Sequence, residues 1–100
     1  MFDLRSTQRQ FLRRSAHPLK PVIHIGKQGL TPAIITAVDT ALTAHELIKL
    51  KFGEFKEEKT DLTSEIAAAT NSAVVSIIGN VATLFREHPD RSLRRIILPD

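Results

Sequence analysis

The chain has 100 residues, of which 42% are hydrophobic and 25% are charged, and its formal net charge is +3. This length is typical of a single domain with one hydrophobic core. The absence of cysteine excludes a disulfide framework, a thiol nucleophile and cysteine-ligated zinc. No apolar run approaches the length of a membrane span, and the N-terminus lacks the apolar segment of a signal peptide, so we expect a cytoplasmic protein.

The charge is unevenly distributed along the chain. Residues 1–28 contain six basic residues and one acidic residue, which gives a net charge of +5. Residues 52–70 contain two lysines and five carboxylates, which gives a net charge of −3. One part of the molecule is therefore expected to be basic and another acidic, a pattern typical of proteins that bind polyanions.

A first helix is predicted from Ser6 or Thr7 to Ala16. Thr7-x-x-Gln10 matches a capping box at its start, and the apolar pair at positions 11 and 12 supplies a short stripe for packing. The prolines at positions 18 and 21 end this helix. The apolar run that follows predicts a first strand over Val22–Ile25.

The clearest helix start in the sequence is Thr31-Pro32, because threonine is a favoured N-cap and proline is favoured at the first helical position. The apolar residues of this second helix share one face: Ile34, Ile35, Val38, Ala41 and Leu42. A second strand is predicted over Glu46–Phe52. Its alternation places Ile48, Leu50 and Phe52 on one face and Leu47, Lys49 and Lys51 on the other.

A third helix is predicted over about Glu57–Thr70, with Asn71 as its C-terminal stop and with Leu62, Ile66 and Ala69 facing inward. The pair Gly79-Asn80 predicts a two-residue turn between strands at Val74–Ile78 and Val81–Phe85. The apolar residues of Leu93–Leu98 predict a short final strand. The order α-β-α-β-α-β-β indicates an α/β (α+β) domain in which helices are layered on a mixed four-stranded sheet.

The loop Gly26-Lys27-Gln28-Gly29, between the first strand and the second helix, is the main candidate site. Glycines let a backbone lie close to a ligand, a helix N-terminus favours anions, and Lys27 adds a cation. The loop lacks the ending of a nucleotide-binding P-loop and the third glycine of a dinucleotide fingerprint. It therefore indicates a clamp for a phosphodiester backbone, although short glycine motifs also occur in simple strand-to-helix turns.

Basic residues near this loop extend the candidate site. Arg5, Arg9 and Arg13 are spaced by four residues and can line one face of the first helix, and Lys20 lies in the connection before the first strand. Lys49 and Lys51 share a strand face, which is either an RNA platform or the solvated side of a sheet. The only aromatic residues are five phenylalanines, so contacts to an RNA backbone are favoured over base stacking.

The segments AHPLKPVIHIGKQGLT (16–31) and HELIKLKFG (45–53) together resemble the YhbY-like proteins of the CRM domain family (chloroplast RNA splicing and ribosome maturation). The resemblance extends over essentially the whole chain. It implies a fold similar to the C-terminal domain of a bacterial translation initiation factor, and binding to ribosomal RNA of large-subunit precursors. It also implies that the RNA surface comprises Gly26–Gly29, Lys20 and the arginines of the first helix. Many relatives have a basic residue after the glycine of the hairpin turn, where this chain has Asn80.

The remaining polar residues do not indicate catalysis. The four histidines lack metal-ligand spacing, no Gly-x-Ser-x-Gly elbow is present, and the carboxylates of the third helix have no apolar pocket. We therefore expect no enzymatic activity, cofactor, metal site or small-molecule substrate, and we expect a monomer that does not bind membranes.

Two functions remain open. One is an RNA-binding protein that docks on large-subunit precursor ribosomal RNA during ribosome assembly. The other is a protein-interaction module that docks a ribosomal protein or an assembly factor through the acidic third helix. For the first, we expect Lys27→Ala or Gly29→Asp to weaken RNA binding without unfolding the domain.

Overall fold

The computed structural model describes residues 3–100 and places three α-helices and four β-strands in the predicted order. The helices are α1 (Ser6–Ala16), α2 (Pro32–His45) and α3 (Lys59–Thr70). The strands are β1 (Ile23–Ile25), β2 (Leu47–Phe52), β3 (Ala73–Ile78) and β4 (Val81–Phe85). Short 3-10 turns lie at Lys56–Glu58 and Arg91–Leu93.

The four strands form one mixed sheet in the order β1-β2-β4-β3. Strand β1 is parallel to β2, which the crossover through α2 makes possible, and the other two pairs are antiparallel. The hairpin β3–β4 turns at Gly79-Asn80, where Gly79 has a φ of 58°. The mixed four-stranded sheet and the hairpin are therefore confirmed.

The hydrophobic core lies on both faces of this sheet. Helices α2 and α3 cover one face, and the predicted alternation of β2 is confirmed there because Ile48, Leu50 and Phe52 are buried. Helix α1 and the C-terminal segment pack on the other face around Leu47 and Phe85. Because α1 covers only part of that second face, the part that includes Lys51 is left exposed.

Two of the predicted helix ends are confirmed. The Oγ1 of Thr31 accepts a hydrogen bond from the N–H of Ile34 at 3.2 Å, as expected of an N-cap. Asn71 ends α3 in the left-handed conformation with a φ of 53°. The predicted capping box of α1 is wrong, because Gln8 is the residue whose Oε1 accepts from the N–H of Arg5, at 3.0 Å, and the helix begins at Ser6.

Two further predictions need correction. Strand β1 begins at Ile23, one residue later than predicted. The buried face of α3 is displaced from Ala69, which is exposed, toward Ala67 and Thr70. Thr70 can be buried because its hydroxyl donates to the carbonyl of Ile66 at 2.8 Å.

The predicted final strand at 93–98 is also wrong. The backbone N–H groups of Arg95 and Ile96 donate to the carboxylate of Glu46, at 2.7 and 3.1 Å, and pair with no strand. Residues 91–93 form a 3-10 turn, in which the carboxylate of Asp90 accepts from the N–H of Ser92 at 2.9 Å.

Candidate nucleic-acid interface

The loop Gly26–Gly29 is a tight β-turn, in which the N–H of Gly29 donates to the carbonyl of Gly26 at 2.9 Å. Lys27 and Gln28 form its exposed tip. Within residues 3–100, neither the backbone N–H nor the side chain of either residue has a hydrogen-bond partner. The tip therefore presents two free N–H donors and one free ammonium group to solvent.

The two glycines of this turn have different roles. Gly29 is buried with a φ of 67°, and a Cβ at this position would lie 3.1 Å from Cε2 of Phe55. Any L-residue there is disfavoured by about 1–2 kcal/mol from its backbone alone. A Cβ at Gly26 would meet no atom within 4 Å. Gly29→Asp is therefore expected to destabilise the domain, whereas Gly26 is the glycine that can be substituted without strain.

The segment after β2 holds the turn in place. The carbonyl of Ile25 accepts hydrogen bonds from the N–H groups of Gly53 and Glu54, at 3.0 and 3.2 Å. Phe55, which has a left-handed φ of 56°, places its ring against Gly29. No local sequence pattern indicates this support, because the strained backbone at Phe55 depends on the packing of two loops.

The N-terminus of α2 offers fewer donors to an anion than the sequence predicts. The N–H of Ile34 is taken by the hydroxyl of Thr31, and the N–H of Ile35 donates to the carbonyl of Thr31 at 3.2 Å. Pro32 has no N–H. In the first turn of this helix, therefore, only the N–H of Ala33 is without a partner among the described residues.

The β1–β2 register places this turn at the end of the sheet where Lys51 lies. His24 is directly beside Lys51, and Ile25, the last residue before the turn, is beside Phe52. Lys49, two residues earlier on the same face of β2, lines a groove together with Arg13 and Arg14 of α1. We call the set Lys27, Lys49, Lys51, Arg13 and Arg14 the basic face.

The cations of the basic face are largely free to bind a ligand. Lys51, Arg13 and Arg14 are exposed and have no hydrogen-bond or ion-pair partner within the described part of the chain. Lys49 is half-buried, and its Nζ donates to the carbonyl of Leu19 at 3.1 Å. No acidic residue lines the groove, so the charge of these side chains is not neutralised locally.

Three predicted site residues lie elsewhere. Arg9 is half-buried, and its guanidinium donates to the carbonyls of Val74 and Val75 at the irregularity in β3. Lys20 lies in the connection before β1, at the opposite end of this strand from the turn, in a second groove beside His45 and Arg95. Arg5 is exposed at the N-cap of α1.

Arg14 and His17 were missing from the candidate site. Helix α1 presents to the groove the face Gln10, Arg13, Arg14 and His17. These residues have the i, i+3, i+4, i+7 spacing of one helix face, so their spacing in the sequence is sufficient to predict that they lie together. The spacing through Arg5, Arg9 and Arg13 also predicts a basic helix face, but Arg9 turns toward the edge strand β3.

The acidic residues at positions 52–70 lie on α3 and in the segment between β2 and α3. The members of this acidic surface are exposed and form no ion pair with any described residue: Glu54, Glu57, Glu58, Asp61 and Glu65. Helix α3 contributes two of these residues, and it packs on the sheet face opposite α1. The acidic residues of α3 are therefore separated by the sheet from the arginines of α1, whereas Glu54 lies beside the turn, because its N–H donates to the carbonyl of Ile25.

Residues 3–100 contain no helix that could span a membrane and no cluster of metal ligands. No helix in this range is long and apolar enough to cross a membrane. No three histidine, aspartate or glutamate side chains in it come together as possible ligands of a metal ion.

An α/β domain with a glycine-containing turn and unneutralised cations at one end of its sheet has the general features of a nucleic-acid-binding domain. Comparison with known protein families identifies the family to which this domain belongs. Residues 4–86 match the CRS1/YhbY (CRM) domain, and the chain belongs to this family. The resemblance noted from the sequence is thereby confirmed.

Relatives of similar length carry the same domain. The chain is 36% identical to an RNA-binding protein of Haemophilus influenzae, covering 94% of this chain and 96% of that protein. It is 34% identical to the probable RNA-binding protein YqeI of Bacillus subtilis, covering 96% and 99%. The solution structure of the Staphylococcus aureus protein SAV1595 has the same fold, with a TM-score of 0.80 and 32% identity over 97% of this chain and 100% of that one.

Proposed function

We propose that this protein binds RNA, and that its target is the ribosomal RNA of large-subunit precursors during ribosome assembly. The observation that carries the proposal is the basic face, whose exposed cations have no partner within the described residues and no acidic neighbour in the groove. The names of its relatives as RNA-binding proteins support the same class of ligand.

The RNA would be held mainly through its backbone. The free N–H groups of Lys27 and Gln28 and the Lys27 ammonium can each bind a phosphate oxygen at the tip of the turn. Lys51, Arg13 and Arg14 can neutralise further phosphates of the same strand or of an adjacent one. No aromatic residue other than His17 lies in the groove of the basic face. Contacts to phosphates and to the shape of folded RNA therefore dominate.

A second candidate function rests on the acidic surface. Five exposed carboxylates without ion pairs to the described residues, two of them on α3, suit a basic segment of a ribosomal protein or an assembly factor. Such docking would use α3 and would not require the turn at Gly26–Gly29.

An RNase experiment separates the two functions. The tagged full-length protein is sedimented with ribosomal particles, with and without RNase, and then purified from each fraction. We expect RNase to release it free of ribosomal proteins, and we expect Asp61→Asn/Glu65→Gln to sediment like the wild type. A complex with a ribosomal protein that survives RNase and is absent in the acidic-surface variant would show that docking through α3 is the function.

A further inference from the structure

The groove of the basic face has the dimensions of a binding site for a small flat ligand. It is an open groove between α1 and the exposed part of the sheet with a volume of about 580 Å³, within the range typical of small-molecule sites. Helix α1 forms one wall with Gln10, Arg13, Arg14 and His17. The groove is thus more than a charged surface, because it has a wall formed by α1 and a floor formed by the sheet.

The floor of the groove is a row of polar residues that crosses three strands. Thr83 of β4 is directly opposite Lys49 of β2 on one side and Ser76 of β3 on the other. Because neighbouring strands lie about 4.8 Å apart, this row is about 10 Å wide. Ile78, which is 62% exposed, adds an apolar surface beside it.

The hydroxyl of Thr83 is a polar group on the floor of the groove that is available to a ligand. Thr83 is only 3% exposed, yet it lines the groove, and its hydroxyl makes no hydrogen bond to any described residue. The hydroxyl itself is not fully cut off from solvent, so water can satisfy it while the groove is empty and a ligand can take the place of that water. The neighbouring hydroxyl of Ser76 is half-buried and equally without a partner in the described chain.

We propose that this groove binds a single unpaired nucleotide of the RNA. The polar edge of the base would pair with the hydroxyls of Thr83 and Ser76, each of which can donate or accept. The ring would lie against Ile78 and stack on His17 or on a guanidinium plane of α1, and Arg13 and Arg14 would bind the adjoining phosphates. The inference rests on the proposed function and deepens it. It predicts that the protein prefers RNA with bulged or looped nucleotides to a continuous duplex.

The lining distinguishes a nucleotide from a simple phosphate site. A phosphate needs donors and positive charge, which the wall of α1 supplies alone. The two hydroxyls of the floor could also donate to a phosphate, but the apolar surface of Ile78 would add nothing for one. Ile78 and the hydroxyls together suit a base better. They match the flat ring and the mixed donors and acceptors of a base.

Three RNA hairpins test the proposal with the full-length protein. They have the same stem and differ only in one position, which is an unpaired nucleotide, an abasic bulge or no bulge. We expect the wild type to bind the bulged hairpin about tenfold more tightly than the fully paired one, and to bind the abasic hairpin like the paired one. Equal affinity for all three would overturn the nucleotide site and leave RNA binding intact, whereas binding to none would overturn both proposals.

Two substitutions locate the effect in the groove. Thr83→Val keeps the shape and the strand preference of the side chain and removes only the hydroxyl. Ser76→Ala does the same at a half-buried position. We expect each to lower affinity for the bulged hairpin about three- to tenfold and to leave affinity for the paired hairpin unchanged. An undiminished preference for the bulge in Ser76→Ala and in folded Thr83→Val would contradict the assignment.

Discussion

Replacing Glu46 by alanine is expected to lower the free energy of unfolding by about 3–5 kcal/mol. Glu46 is 2% exposed, and its two carboxylate oxygens accept hydrogen bonds from three backbone N–H groups of the C-terminal segment. Alanine would leave all three donors without an acceptor. The segment would then detach and expose the apolar residues that it covers, because Ile96 and Leu98 pack on the cluster around Leu12.

Glu46→Gln is the matched control for this substitution. Glutamate, glutamine and alanine all have a Cβ and bear the same backbone strain at a φ of 64°. The amide oxygen of glutamine can still accept from Arg95 and Ile96, but its NH₂ group would face the N–H of His88. In urea denaturation, the free energy of unfolding should therefore be highest for the wild type, lower for Glu46→Gln and lowest for Glu46→Ala. Stability of Glu46→Ala within about 0.5 kcal/mol of wild type would contradict this role, because that margin is the usual effect of a neutral surface substitution.

Removing two cations of the basic face is expected to have the largest effect on RNA binding. In Lys27→Gln/Arg13→Gln, one substitution lies in the turn and one in α1, and neither side chain has a partner among the described residues. Removal of each cation should cost about 1 kcal/mol of binding free energy, so affinity for a large-subunit ribosomal RNA transcript should fall about thirtyfold. The slope of log affinity against log salt should also become shallower, by about 0.7–0.9 for each phosphate that is no longer neutralised.

The control variant removes two positive charges from a part of the surface outside the basic face. Arg91 and Arg95 are exposed in the C-terminal segment and their side chains have no partner in the described chain. Arg91→Gln/Arg95→Gln should reduce affinity by less than about threefold, because it changes the net charge but not the basic face. Equal reductions in the two double variants would show that net charge alone governs binding.

Local signals in the sequence predicted most of the fold. The N-cap at Thr31, the stop at Asn71 and the turn at Gly79-Asn80 depend on conformational preferences of one or two residues, and all three are observed. The alternation in β2 also predicted which face is buried, because a strand has only two faces. Such features need no knowledge of distant parts of the chain.

The errors concern residues whose role depends on distant partners. Arg9 belongs by spacing to a basic helix face, but it is held by carbonyls 65 and 66 residues away. The segment at 93–98 has the composition of a strand, yet a carboxylate about 50 residues earlier takes its N–H groups. Lys20 is close to the turn in sequence, but the length of β1 separates them. In each case the tertiary structure determines where the residue lies, and a local sequence pattern cannot predict that position.

RNA is expected to lie on the basic face of this domain. The most direct measurement is ultraviolet crosslinking of the full-length protein to large-subunit ribosomal RNA, followed by mass spectrometric identification of the crosslinked residues. The crosslinks should concentrate at residues 26–29, around Lys51 and on the α1 face that includes Arg14. Crosslinks concentrated on α3 and residues 54–58, with none at the turn or on α1, would contradict this placement of the RNA.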